Sequence, residues 1–100
     1  MKFYEAVIGP ANDCTYAEAL ARRVILCIDA EEAAFVDFSQ CDRMTPSFAD
    51  VLWMTLAHAH PILTLKKRAL FSNRNENVRA AMDAAERRYL DGIRLSTQRK

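Results

Sequence analysis

Strands alternating with helices along the chain predict an α/β domain: a central mixed sheet of about four strands, with parallel pairs, and three helices packed against it. Short segments at residues 3–8, 33–38 and 67–72 have the length and composition of strands. Apolar residues at three- and four-residue spacing lie between and after them, as helices with a buried face require. Two glycines and three prolines in 100 residues leave little room for a turn-rich all-β design.

The first strand, 3–8, is closed by Gly9-Pro10. After a loop over 11–14, Thr15 predicts a helix N-cap, and Glu18 three residues on completes a capping box. Ala17, Leu20, Ala21, Val24, Ile25 and Ile28 then share one face, Arg22 and Arg23 face out, and the helix stops near 29–31. The run 33–38 is nearly continuous in apolar residues and suits a strand covered on both faces.

A second helix opens either at Thr45, with Pro46 in its first turn, or at Ser47, with Asp50 three residues on. Its stripe of Phe48, Val51, Leu52, Leu56 and Ala59 is widened by Trp53, Met54 and Ala57 almost to the whole circumference, which predicts burial on more than one side. Pro61 ends it, and a strand through Ala69, Leu70 and Phe71 follows. Asn73 with Glu76 opens a third helix, with Val78, Ala81, Met82, Ala85 and Tyr89 on one face, and Asp91-Gly92 closes it. Ile93, Arg94 and Leu95 add a short last strand. The expected organisation is one domain over 1–95 and a basic tail over 96–100, without repeats or linkers.

Hydrophobic content of 51% is enough for one modest core. Fourteen basic and 13 acidic residues give a formal charge of +1, so nothing electrostatic favours nucleic acid as the main partner. The basic run of Arg87, Arg88, Arg94, Arg99 and Lys100 reads as a solvated end of the chain. Glu5 interrupts the N-terminus before an apolar run develops, so no signal peptide is expected, and no stretch approaches the ~20 apolar residues of a membrane span. Cys14, Cys27 and Cys41 form an odd, widely spaced set, which fits reduced thiols in the cytoplasm. With only Gly9 and Gly92, phosphate-binding glycine loops are excluded, and neither H-E-x-x-H nor G-x-S-x-G occurs. No cofactor or metal is expected.

The stretch richest in chemistry is 35–50, Phe-Val-Asp-Phe-Ser-Gln-Cys-Asp-Arg-Met-Thr-Pro-Ser-Phe-Ala-Asp. A buried strand runs into an acid, a polar turn follows, and hydroxyls stand at the mouth of an apolar helix. Val36-Asp37-Phe38-Ser39 and Met44-Thr45-Pro46-Ser47-Phe48-Ala49-Asp50 resemble the STAS-like family of small bacterial proteins, relatives of the anti-sigma-factor antagonists. Asn73-Arg74-Asn75-Glu76-Asn77-Val78 and Arg87 or Arg88 are similar to its later asparagine-rich helix start and following arginine; the likeness runs from Thr15 to about Arg88.

The resemblance implies a STAS-like fold and a regulatory protein–protein interaction module. It also implies partner switching through phosphorylation by a histidine-kinase-like ATPase serine kinase, or docking to an anti-sigma-type regulator. Counted from Asp37, the slot of the modified serine holds Pro46, flanked by Thr45 and Ser47. Ser47 is therefore the first candidate phosphoacceptor and Thr45 the second. The partner-binding surface implied is the loop 40–46 and the helix start, with Asp42, Arg43, Thr45, Ser47, Asp50 and Trp53. A dianion at a helix N-terminus meets orphan N–H groups and the positive end of the dipole.

Each candidate has a structural alternative. Ser47 or Thr45 can be an ordinary N-cap, and Asp50 a first-turn acid favoured by the dipole. Trp53 and Met54 form either core or a partner or homodimer surface. Cys14, just before Thr15, supports a competing class, a single-cysteine thiol enzyme of thioredoxin-like type, although no C-x-x-C pair accompanies it. His58 and His60, two residues apart, do not share a helix face and lack further ligands at metal spacing.

Overall fold

The computed structural model describes residues 4–7, 9 and 11–98, with side chains for 9 and 11–92. The elements are β1 (Tyr4–Val7), α1 (Cys14–Asp29), β2 (Ala34–Asp37), α2 (Pro46–Ala59), α3 (Ile62–Arg68), β3 (Ala69–Ser72) and α4 (Glu76–Gln98). The strands form one sheet in the order β1-β2-β3, parallel throughout, with Tyr4 opposite Ala34 and Ala34 opposite Ala69. The α/β class is as the sequence predicts. Among the described residues, however, the sheet has three strands and not about four, it is parallel and not mixed, and four helices replace three.

Strand order explains the layering once the general right-handedness of parallel crossovers is applied to it. Two successive right-handed crossovers that advance in one direction put their helices on one face of the sheet. Burial agrees: Ala34, Val36 and Ala69 point into the core, whereas Phe35 and Leu70, paired across β2 and β3, are 40% and 36% exposed. The second strand is thus fully buried on one face and only partly covered on the other, where its composition predicted burial on both.

Helix α1 buries Ala17, Leu20, Ala21, Val24, Cys27 and Ile28, an unbroken helical stripe. Helix α2 buries the wider set Phe48, Ala49, Leu52, Trp53 and Leu56 because it packs against both α1 and α4. Tyr16 meets Phe48 with ring centroids 6.0 Å apart, and Phe38 meets Phe71 edge-on at 5.8 Å. The buried residues described are all apolar.

Several predicted boundaries move, each for a local reason. Helix α1 starts one residue before Thr15, because the Asp13 carboxylate accepts from Thr15 N–H at 2.9 Å and is itself the N-cap. Glu18 then accepts from Arg22 one turn on, not from a capping box. Pro61 ends α2 but also caps a new helix, α3: Leu65 N–H donates to Pro61 O at 3.0 Å, and Lys66, Lys67 and Arg68 sit at its C-terminal end.

Asn73 does not open α4. It takes a left-handed φ of 57°, a conformation asparagine tolerates, and Asn75 caps the helix by accepting from Val78 N–H at 2.8 Å. Gly92 has no positive φ, so it provides no left-handed cap. Helix α4 runs through it to Gln98, and 93–95 are helical where a last strand was expected. Residues 96–98, expected in the tail, belong to the same helix; Phe3 and Ile8 of the predicted first strand, and Arg99 and Lys100, lie outside the described residues.

Candidate functional site at the carboxyl edge of the sheet

All three strands are parallel, so the connections leaving β1, β2 and β3 emerge at one edge, and α1, α2 and α4 begin there. In open parallel sheets this is the edge that presents ligands and partners. The β2–α2 connection, 38–45, is its centre. It is not a loose loop.

Its backbone is held from both sides. Toward β1, Ala11 and Met44 form a parallel bridge, and Thr45 N–H donates to Ala11 O at 3.0 Å. Toward β3, three asparagines at two-residue spacing act in turn. Asn73 Nδ2 donates to Asp37 Oδ1 at 3.0 Å. Asn75 Nδ2 donates to Asp42 O at 2.8 Å while its Oδ1 caps α4. Asn77 Oδ1 accepts from Met44 N–H at 3.0 Å. Cys41 and Met44 anchor the loop inward, whereas Ser39, Gln40, Asp42, Arg43, Pro46 and Ser47 are exposed.

Asp37 closes β2. Its carboxyl is held below the usual aspartate value, first by the Asn73 side-chain amide and then by Ser39, whose N–H donates at 2.8 Å. The Cys41 thiol is pushed up, chiefly by burial; its Sγ donates to Arg43 O at 3.3 Å. Both groups are structural parts of the loop.

The two hydroxyls at the mouth of α2 divide the work. Thr45 is the N-cap: its Oγ1 accepts from Phe48 N–H at 3.1 Å, its O accepts from Ala49 N–H at 3.1 Å, and Pro46 follows at the first helical position. Ser47 sits in the first turn, exposed, with its hydroxyl unused among the described residues. The N-cap alternative therefore holds for Thr45 and not for Ser47.

Asp50 is half-buried and tied to α4: Arg88 donates to its Oδ1 from Nε at 2.9 Å and from Nη2 at 2.5 Å. Trp53, read from the sequence as core or as partner surface, is 7% exposed and belongs to the core, so it is not presented beside Asp42, Arg43 and Ser47. Its neighbour Met54 is 40% exposed.

Cys14 is the exposed first residue of α1, while Cys27 and Cys41 are buried. Cys27 Sγ donates to Ala33 O at 3.0 Å. His60 Nε2 lies 2.8 Å from Asp29 Oδ1 and links the ends of α2 and α1. Among the described residues no cluster of histidine, cysteine or carboxylate groups is arranged to hold a metal ion, and no helix is long and apolar enough to cross a membrane.

Sequence reasoning reached the loop and both hydroxyls but missed the use of the asparagines. The signal was the spacing Asn73-x-Asn75-x-Asn77 around a helix start, too polar for a cap alone. The chain matches no family model, no curated protein and no solved structure.

Proposed function

We propose that the protein is a cytoplasmic regulatory interaction module of STAS-like type, which binds a protein partner through the β2–α2 connection and the first turn of α2. Charge at Ser47 controls the binding. The observation that carries the reading is the division of labour at that helix mouth. Thr45 holds the cap, which leaves Ser47 exposed and uncommitted beside Asp42 and Arg43 on a loop clamped from two sides.

The chemistry of a phosphoryl group there follows from the free donors. Pro46 has no N–H, and those of Phe48 and Ala49 already bond to Thr45, which leaves the N–H of Ser47 itself as the first-turn donor without an acceptor among the described residues. A phosphate on Ser47 finds little backbone to reorganise, so its charge acts outward on the docking surface. This is a switch of surface electrostatics and not of loop order. A histidine-kinase-like ATPase serine kinase supplies the phosphate, and that kinase or an anti-sigma-type protein is the partner. The resemblance around Asp37 and Ser47 supports both roles.

The test is direct binding of candidate ATPases of this type, by calorimetry, to wild type, Ser47→Ala and Ser47→Asp. The expected order is tight, tight and at least about tenfold weaker, because like charge facing a partner's acidic groups costs more than about 1.4 kcal/mol. Equal affinity for all three overturns the switch. The thiol-enzyme reading keeps one observation, the exposure of Cys14 at the start of α1, but its two companion thiols are buried and unavailable as resolving partners.

A further inference from the structure

Strand β3 is an outer strand of the sheet, and between it and helices α2, α3 and α4 lies a cleft of about 420 Å³. That size falls within the range of small-molecule sites. Leu65, Phe71 and Met82 give it an apolar lining, and at its rim Lys66 and Glu86 satisfy one another at 3.2 Å.

Three lining groups keep unused bonding capacity. Trp53 Nε1 lies buried in the cleft wall with no acceptor among the described residues. The Arg74 guanidinium makes no ion pair among the described residues; its hydrogen bond there is a weak one from Nη1 to Met82 Sδ at 3.9 Å. The Asp83 carboxylate has neither a hydrogen bond nor an ion pair among them. The backbone adds a fourth. Ser72 O turns toward β2 to accept from Phe38 N–H, so the N–H and C=O of Phe71 face the free edge of β3.

One free cation and one free anion over an apolar floor complement a small zwitterion with an apolar body. A simple organic acid leaves Asp83 unpaired beside a like charge, and a simple amine does the same to Arg74. We propose that the cleft binds a free α-amino acid with an apolar side chain. The ligand carboxylate pairs with Arg74, over the wall in which the Trp53 indole is buried. The ammonium pairs with Asp83, and the side chain covers Leu65, Phe71 and Met82. This site does not depend on the docking surface at the carboxyl edge.

The chain has one tryptophan, so its indole N–H gives a single, assignable signal in nitrogen-edited NMR spectra. Titration with L-leucine and L-phenylalanine is expected to move that signal saturably for at least one of them. For the amino acid that binds, the analogues lacking the amino or the carboxyl group (isocaproate and isoamylamine for leucine) should bind at least about tenfold more weakly, since each leaves one charged group unpaired. Arg74→Gln and Asp83→Asn should each weaken the amino acid by a similar factor, with the spectrum's dispersion reporting an intact fold. Asp83 is exposed, so its variant keeps the test open if Arg74→Gln unfolds. The proposal is overturned if neither amino acid gives a saturable shift, if either single-charge analogue binds as well as the amino acid, or if a folded variant binds like wild type.

Discussion

At the scale of single residues, Thr45 and Ser47 look alike in sequence and differ in task. Both are hydroxyls before an apolar helix with acids nearby. What separates them is Pro46, whose fixed φ and missing N–H suit the first helical position and so make the residue before it the cap. Thr45→Ala is expected to cost about 1 kcal/mol in denaturant unfolding, the usual value of an N-cap, whereas Ser47→Ala changes stability by less than about 0.5 kcal/mol. The reverse order would contradict the assignment. The same local competition decided Asp13 over Thr15 at α1, which the capping-box pattern concealed because Glu18 had another partner one turn away. The cysteines extend the argument to reactivity. In the native state a thiol reagent should modify Cys14 promptly and Cys27 and Cys41 only on unfolding, since both are buried and donate to backbone carbonyls. Uniform labelling of all three would rule out the loop anchoring described for Cys41.

At the scale of elements, the β3–α4 turn holds the β2–α2 loop. Asn75 serves two masters with one side chain: its oxygen caps α4 and its amide binds the loop at Asp42 O. Asn75→Ala removes both and is expected to cost about 1–2 kcal/mol, while Asn75→Asp keeps the cap but loses the loop bond. Hydrogen exchange should then show the loop amides opening faster in both variants, and protected amides in Asn75→Asp would deny the clamp. The Asp37 contact carries a pH dependence. Its carboxyl is held below the ordinary aspartate value, so its stabilising bonds are fully present above that ordinary value and are lost as pH falls through the lower, folded one. Asp37→Asn should therefore flatten the acid limb of the stability curve, and an unchanged limb would remove Asn73 and Ser39 as the cause. At this scale the sequence was read well where one signal acted alone, as along the stripe of α1. It was misread where one residue carries two meanings. Pro61 both stops α2 and starts α3, and Gly92 resembles a helix stop yet stays helical.

At the scale of the whole molecule, a three-stranded parallel sheet with its helices on one face sends three connections to a single edge. The α/β class was legible because strand and helix periods alternate clearly. The strand count was not, because a run as short as 93–95 has no periodicity to oppose continuation of a long amphipathic helix. Nor was the half-exposed sheet face, since Phe35 and Leu70 read as core residues until the register set them side by side on it. The edge proposed for docking was legible as a position, between the end of β2 and the start of α2. Its rigidity was not, for that rests on bonds between residues 33 to 36 positions apart in sequence, Asn73 to Asp37 and Asn75 to Asp42 among them. A rigid edge with one exposed, uncommitted hydroxyl is the central claim, and it is tested most directly by quantitative affinity capture from the source cells. Wild type, Ser47→Ala, Ser47→Asp and Arg43→Glu serve as parallel baits. The account predicts one histidine-kinase-like ATPase or anti-sigma-type protein retained by wild type and Ser47→Ala and depleted with Ser47→Asp and Arg43→Glu. Recovery of the same proteins in the same amounts with all four baits would contradict it.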